Sequence, residues 1–77
     1  MKIHLEFTAV LHLEGVRPGD EVEVAEGTTI ADLLTRLQVR PAHQKYVVPF
    51  VNGKQERLTR RLVDGDKLVL SLPVGGG

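Results

Sequence analysis

The chain has 77 residues, which is enough for one small domain with a single hydrophobic core. Its ten basic and ten acidic residues cancel, so the net charge gives no argument for nucleic acid or an anionic membrane as a partner. Cysteine is absent from the sequence, which excludes disulfides, thiolate metal ligands and a thiol nucleophile.

The first two predicted elements are strands. Residues 2–8 alternate between apolar and polar side chains, which is the period of a half-buried strand. The apolar face of this run holds Ile3, Leu5 and Phe7. A loop rich in glycine and proline separates it from a second alternating run at residues 21–24, so two antiparallel strands are expected. A weaker alternation continues beyond the first run and leaves its end open between Thr8 and Leu13.

Residues 29–37 carry the signals of a helix. Thr29 is placed to cap the first turn, and Asp32 follows three residues later, where a capping box has its acidic residue. An apolar stripe with helical spacing is formed by Ile30, Leu33, Leu34 and Leu37. A helix this short needs a sheet to cover, and Pro41 disfavours helical geometry at the preceding residue.

Strand chemistry resumes at residues 46–55 and again at residues 67–72. Asn52 and Gly53 suit the type I′ turn of a hairpin, in which both positions need a positive φ. Pro49 cannot donate a ladder hydrogen bond, so its strand is expected at a sheet edge or with a bulge. A turn at Asp64, Gly65 and Asp66 leads into the last strand, where Leu68, Leu70 and Leu72 share one face.

The order of elements is strand, strand, helix, strand, short strand, strand, which predicts a two-layer α+β domain. The helix allows the later chain to cross over and lie parallel to an earlier strand. The fold that fits is the ubiquitin-like β-grasp, with a mixed sheet of about four to five strands packed against one main helix. A ferredoxin-like fold without its second helix is the alternative. We expect the domain to span residues 1–72, with a flexible tail at residues 73–77.

Four segments together resemble a known family. They are "EGTTIADLL" at the start of the helix, "VNG" at the end of a strand, "DGDKLVL" leading into the last strand, and the final "PVGGG". In this order, they look like the ubiquitin-like sulfur carriers of the MoaD/ThiS type. The position of the glycines is the specific feature, because the other segments are common in turns and helix starts.

The resemblance implies that Gly77 is the functional residue. Its carboxylate would be adenylated by an activating enzyme using ATP, converted to a thiocarboxylate and used as a sulfur donor by a synthase. The synthase would be a molybdopterin synthase large subunit or a thiazole synthase. The chain itself would be a monomeric cosubstrate that binds no cofactor or metal and has no catalytic residue.

The chemistry of the tail agrees with this role. Forming a mixed anhydride with AMP gives a carboxylate a good leaving group, and glycine has no side chain to crowd the attacked carbonyl. Gly75 and Gly76 adopt backbone conformations forbidden to other residues, so a partner can thread them with Val74 through a narrow channel. Pro73 stiffens the exit from the last strand. Extended, the six residues 72–77 reach about 20 Å.

Two alternatives to a sulfur carrier stay open. One is a ubiquitin-like modifier that forms isopeptide bonds through Gly77, and the other is an interaction module whose glycines are a frayed terminus. Within the carrier reading, "LPVGGG" and the loop "RPGD" favour the molybdopterin type, although Leu72 stands where a proline is usual in such carriers. A triple glycine is equally compatible with a thiazole-type carrier.

Partner surfaces are predicted from the remaining residues. Val10, Val48 and Val69 are apolar candidates on the sheet face that the helix leaves open. Seven basic residues against one acidic at residues 36–61 suggest docking to an acidic partner, with Arg57, Arg60 and Arg61 as candidates. Alternatively, these charged side chains form a face that is exposed to solvent and has no partner. The run "RLTRR" at residues 57–61 has no interleaved aromatic residues, which argues against nucleic-acid binding.

The other polar side chains predict no site. His4 and His12 are expected on the surface and His43 in a loop, none of them with the spacing of a metal site. Asp64 and Asp66 are read as turn formers rather than as a carboxylate pair. No apolar stretch has the length of a signal peptide core or a membrane span, so a cytoplasmic location is expected.

Overall fold

The computed structural model describes residues 1–8 and 10–73 of the chain. The elements in chain order are β1 (Lys2–Phe7), β2 (Glu21–Glu23), α1 (Ile30–Arg36), α2 (Pro41–Gln44), β3 (Val48–Val51), β4 (Lys54–Gln55) and β5 (Lys67–Ser71). The first strand therefore ends at Phe7, at the early end of the predicted range. Val10, Leu11 and Leu13 lie in the loop to β2.

The five strands form one mixed sheet in the order β2-β1-β5-β3-β4. The central pair, β1 and β5, is parallel, with Leu5 opposite Leu68 and Phe7 opposite Leu70. The other three pairs are antiparallel. A parallel pair needs a long connection, and α1 lies within the one that this chain provides. This arrangement confirms the β-grasp prediction, and the ferredoxin-like alternative is wrong.

One hydrophobic cluster joins the sheet to α1. Its largest fully buried side chains come from β1, α1 and β5, and they are Ile3, Leu5, Ile30, Leu33, Leu34, Leu68 and Leu70. The strand residues in this set alternate along β1 and β5, so they share the sheet face that α1 covers. On the opposite face of the sheet, the side chains of β1, β3 and β5 are half-buried or exposed.

The helix begins as the sequence predicts. The Thr29 hydroxyl accepts from the Asp32 N–H at 3.0 Å, and the Asp32 carboxylate accepts from the Thr29 N–H at 3.1 Å. The neighbouring segment completes the cap, because the carbonyls of Arg60 and Leu58 accept the Ile30 and Ala31 N–H groups. The first N–H groups of the helix, which have no partner inside it, are thus satisfied by a distant part of the chain.

The helix α1 ends at Arg36, several residues before Pro41, so the proline is not what terminates it. Leu37 caps α1 and Gln38 has a φ of 71°, a left-handed geometry that stops the helix. Pro41 then occupies the first turn of α2, where a missing N–H is harmless. The prediction that His43 lies in a loop is wrong, since His43 belongs to α2.

The hairpin between β3 and β4 has the predicted turn, with φ of 53° at Asn52 and 85° at Gly53. The expectation for Pro49 is wrong, because β3 pairs with both β4 and β5 and is not an edge strand. Pro49 fits because β4 pairs only with Phe50 and Val51. The Pro49 carbonyl accepts from the Glu56 N–H on that side, where the β4 ladder has already ended.

A buried carboxylate fixes the start of β5. Asp66 is only 5% exposed, and its oxygens accept from the Val63 N–H at 2.8 Å, Arg60 at 2.9 Å and the Asn52 amide at 3.0 Å. Burial alone would raise the pKa of Asp66, but these hydrogen bonds and the Arg60 charge outweigh it and hold that pKa below its usual value. Asp66 therefore does more than form the predicted turn.

Replacing Asp66 tests this network. Because its pKa is lower in the folded than in the unfolded chain, Asp66 stabilises the fold above its unfolded pKa of about 3.9. That contribution is lost as the pH falls through the lower folded value. We expect Asp66→Asn to reduce the free energy of unfolding at pH 7 by about 1–3 kcal/mol, since Arg60 loses its partner. Urea denaturation measures this effect, and repeating it below pH 4 should show a shallower decline for the variant.

The matched control is Asp64→Asn in the same turn. Asp64 is exposed and accepts one hydrogen bond, from the Lys2 N–H at 2.8 Å. Replacing Asp64 should reduce the free energy of unfolding by less than replacing Asp66. If the stability of Asp66→Asn depended on pH as that of the parent does, Asp66 would not be the carboxylate that stabilises this turn.

Candidate docking surface and carrier terminus

The last strand leads the chain out of the domain from the middle of the sheet. β5 is hydrogen-bonded on both sides, to β1 and to β3. Leu72 follows it and packs partly buried against the core, and Pro73 is exposed. The remaining predicted tail residues, Val74, Gly75, Gly76 and Gly77, lie outside the described residues, so the roles assigned to them stay predictions.

The sheet face opposite α1 carries a small apolar surface. Val69 and Phe50 lie directly opposite each other on β5 and β3, and Val48 is opposite Ser71 two pairs further along. All three apolar side chains are half-buried, although neither of the two described helices lies among the elements paired with this part of the sheet. We call Val48, Phe50 and Val69 the outer-face patch. The sequence-based prediction for this face named Val10, Val48 and Val69 and did not include Phe50.

Charged residues border the outer-face patch on the β1 side. Glu6 is opposite Val69 in the parallel ladder, and the His4 and Glu6 side chains approach to 3.2 Å. The predicted surface position of His4 is confirmed, since its side chain is 42% exposed. The outer-face patch is therefore an apolar centre with a polar edge, the usual anatomy of a protein interface.

Val10, the third predicted apolar contact, is not on the sheet. It lies in the loop after β1, 56% exposed, and borders a separate groove that also includes Leu72. The prediction extended the alternation of β1 beyond its real end at Phe7, so it placed Val10 on the wrong surface.

The three predicted arginines have different surroundings. Arg57 and Arg61 are exposed. Arg60 is occupied within the domain, because its guanidinium contacts Asp66 at 2.9 Å and Glu56 at 3.4 Å. A role in docking stays a prediction for all three, but for Arg60 it would compete with the buried network described above.

Metal and membrane sites can be assessed for the described part of the chain. Within residues 1–8 and 10–73, no three histidine or carboxylate side chains form a group that could bind a metal ion. In the same residues, no helix is long and apolar enough to cross a membrane.

The comparisons with known proteins agree with the architecture. The fold is that of the ubiquitin-like β-grasp proteins, the class to which all the solved structures below belong. The ThiS family model matches residues 7–77, and the chain belongs to the ThiS family. No curated protein sequence matches the chain.

Three solved proteins are similar over nearly their whole length. SAMP1 from Haloferax volcanii, described in a second structure as small archaeal modifier protein 1, is 21% identical over 100% of both chains, with a TM-score of 0.70. A putative molybdopterin converting factor subunit 1 from Pyrococcus furiosus is 27% identical over 95% of this chain and 98% of its own, with a TM-score of 0.69. In a complex of subunits 1 and 2 of molybdopterin-converting factor from Helicobacter pylori, the matching chain is 20% identical over 100% of both chains, with a TM-score of 0.60.

A pair of adjacent substitutions tests which sheet face is needed for folding. Leu70 is fully buried and Val69 is half-buried on the opposite face. We expect Leu70→Ala to lower the free energy of unfolding by about 2–5 kcal/mol, as buried leucines do. Val69→Ala should lower the free energy of unfolding by about 1 kcal/mol or less, because the Val69 side chain is only half-buried. Urea denaturation of the two variants makes the comparison, and equal costs would mean that the outer-face patch is part of the core.

Proposed function

We propose that this protein is a sulfur carrier in cofactor biosynthesis and that its functional group is the carboxylate of Gly77. A carboxylate oxygen attacks the α-phosphorus of ATP on an activating enzyme, and pyrophosphate leaves. A sulfide-level nucleophile supplied by a partner then displaces AMP and leaves a thiocarboxylate. The thiocarboxylate sulfur is transferred to an acceptor on a synthase, and water restores the carboxylate. The chain is a cosubstrate throughout, and the ATP is bound by its partner.

The observation that carries this proposal is the family match, which extends through the glycines to Gly77. The fold supports it, because Leu72 leaves a central strand that is paired on both sides. The point at which the chain leaves the sheet is therefore fixed by both neighbouring strands. The three glycines offer no side chain that would hinder entry into an enzyme's active site.

Molybdopterin synthesis is the proposed destination of the sulfur. Two of the similar structures are described as molybdopterin-converting factor subunits, and one of these is in complex with the second subunit. The outer-face patch has the composition of an interface and is our proposed contact with such a synthase subunit. Thiazole synthesis is the alternative destination. We place the reaction in the cytoplasm, with the free carrier as a monomer.

A second candidate function is protein modification. The similarity to the H. volcanii small archaeal modifier protein favours it, because that protein shares the fold over the whole chain. In this case, the activated Gly77 carbonyl would be attacked by a lysine amine of another protein, AMP would leave and an isopeptide bond would form. The activation step is common to both functions, and only the nucleophile differs.

Intact mass spectrometry of the protein purified from its own cells tests the proposal. We expect a fraction of molecules to gain the mass of one sulfur in place of one oxygen, and fragmentation of the C-terminal peptide should place the change at Gly77. Gly77 joined to lysines of other proteins, without any thiocarboxylate, would favour the modifier function. An unmodified carboxylate under all growth conditions would contradict both functions.

Deletion of Gly76 and Gly77 provides the matched variant. It should abolish the thiocarboxylate and leave urea denaturation unchanged, because glycine has no side chain to contribute to a hydrophobic core. Loss of folding in the deleted protein would mean that the tail has a structural role instead.

A further inference from the structure

An open groove lies beside the point where the tail leaves the domain. Its volume is about 480 Å³, within the range of sites that bind small molecules or single side chains. Four parts of the chain form it: the loop after β1, the connection between α1 and α2, the end of α2 with the residues before β3, and the residue after β5. Its apolar lining includes Val10, Val39, Tyr46, Val47 and Leu72.

Two of the apolar side chains that line the groove are largely exposed, whereas Leu11, Val39 and Val47 are buried. Val10 is 56% exposed and Tyr46 is 58% exposed. Among the described residues, only one other large hydrophobic side chain, Val63, is exposed to this degree. Single exposed apolar residues are ordinary, but two that line one groove with a partly buried leucine form a patch suited to binding.

The ionisable side chains of the groove are basic. Arg40, His12 and His43 line it together with the neutral Gln38, and none of the described residues contributes a carboxylate. Lys45 adds a positive charge next to the groove, because its Nζ lies 5.3 Å from the centre of the Tyr46 ring. Within residues 1–8 and 10–73, none of these four side chains belongs to an ion pair. The positive charges of Arg40 and Lys45 are therefore available to a ligand.

We propose that this groove docks a segment of a partner protein in which a leucine or isoleucine side chain is flanked by carboxylates. The apolar lining would receive the aliphatic side chain, and Arg40 with its basic neighbours would pair with the carboxylates. A protein segment fits better than a phosphate ligand, because the lining is mostly apolar and an anchoring side chain of this size is typical of interface centres.

The position of the groove connects it to the tail. Leu72 is both part of its lining and the residue that immediately precedes Pro73. A protein that captures the tail must therefore pass close to this groove. In this respect, the inference rests on the proposed function, and it adds the chemistry of the surface by which the tail-binding partner is recognised.

Peptide titration followed by NMR tests the groove directly. The ¹⁵N-labelled full chain is titrated with the peptide acetyl-Glu-Glu-Leu-Leu-Glu-Glu-amide at low salt. We expect amide shifts concentrated at Val10, Val39, Arg40, Tyr46 and Leu72, with half-saturation on the order of 1 mM, as suits a short flexible segment. Binding should weaken as salt is raised. Two control peptides, one with lysines replacing the glutamates and one with serines replacing the leucines, should bind at least about tenfold more weakly.

Matched charge reversals locate the site. Arg40→Glu should weaken binding of the acidic peptide about tenfold or more, whereas Arg17→Glu, an exposed arginine outside the groove, should change it less than about twofold. Val10→Ser tests the apolar part and should weaken binding severalfold. All three positions are exposed, so each variant should retain the parent's spectrum away from the substitution.

Several outcomes would overturn the proposal. They are shifts centred on another surface, equal binding of the acidic and lysine peptides, no effect of Arg40→Glu, or the same shifts with acetate alone, which would indicate a simple anion site. These outcomes are separate from a failure of the sulfur-carrier function, since the titration does not use the tail. The chain lacking Gly76 and Gly77 should bind the peptide as the full chain does.

Discussion

The pairing of β5 in the centre of the sheet is the constraint on which the rest of the structure depends. This strand joins the β1–β2 half to the β3–β4 half, and its buried leucines complete the core under α1. Its start is fixed by Asp66, which joins the Asn52 turn, Arg60 and the backbone at Val63. Since both ladders and the buried carboxylate define its position, the direction in which Leu72 leaves the domain is defined as well.

A domain of 77 residues can build one core, and here that core occupies one face of the sheet. The part of the chain that the structure describes has one helix of seven residues and a second of four, and it offers no further helix to cover the other face. The outer-face patch and the groove at Leu72 are both consequences of this economy. The surfaces available for partners are those that the domain does not bury in its own core.

Local signals in the sequence were sufficient for the parts of the fold that depend on neighbouring residues. The capping box at Thr29, the Asn52-Gly53 turn and the strand alternation are all of this kind, and the structure has them as predicted. The missed features depend on residues far apart in sequence. Pro49 is accommodated because β4 is too short to reach it, and Asp66 is buried by groups as distant as Asn52. The groove that includes Val10 exists only once four separate segments have met.

The chemistry proposed for the tail also bears on specificity. Glycines have no side chain, so an activating enzyme or a synthase cannot distinguish one carrier from another by Gly75, Gly76 and Gly77. That discrimination must come from the folded surface around the exit of β5. Ser71 lies opposite Val48 of the outer-face patch, and the next residue, Leu72, lines the groove. Successive residues at the end of one strand thus border two different surfaces, and a partner that grips the tail can contact both. A carrier that visits two partners in turn can present a different surface to each while using the same terminus.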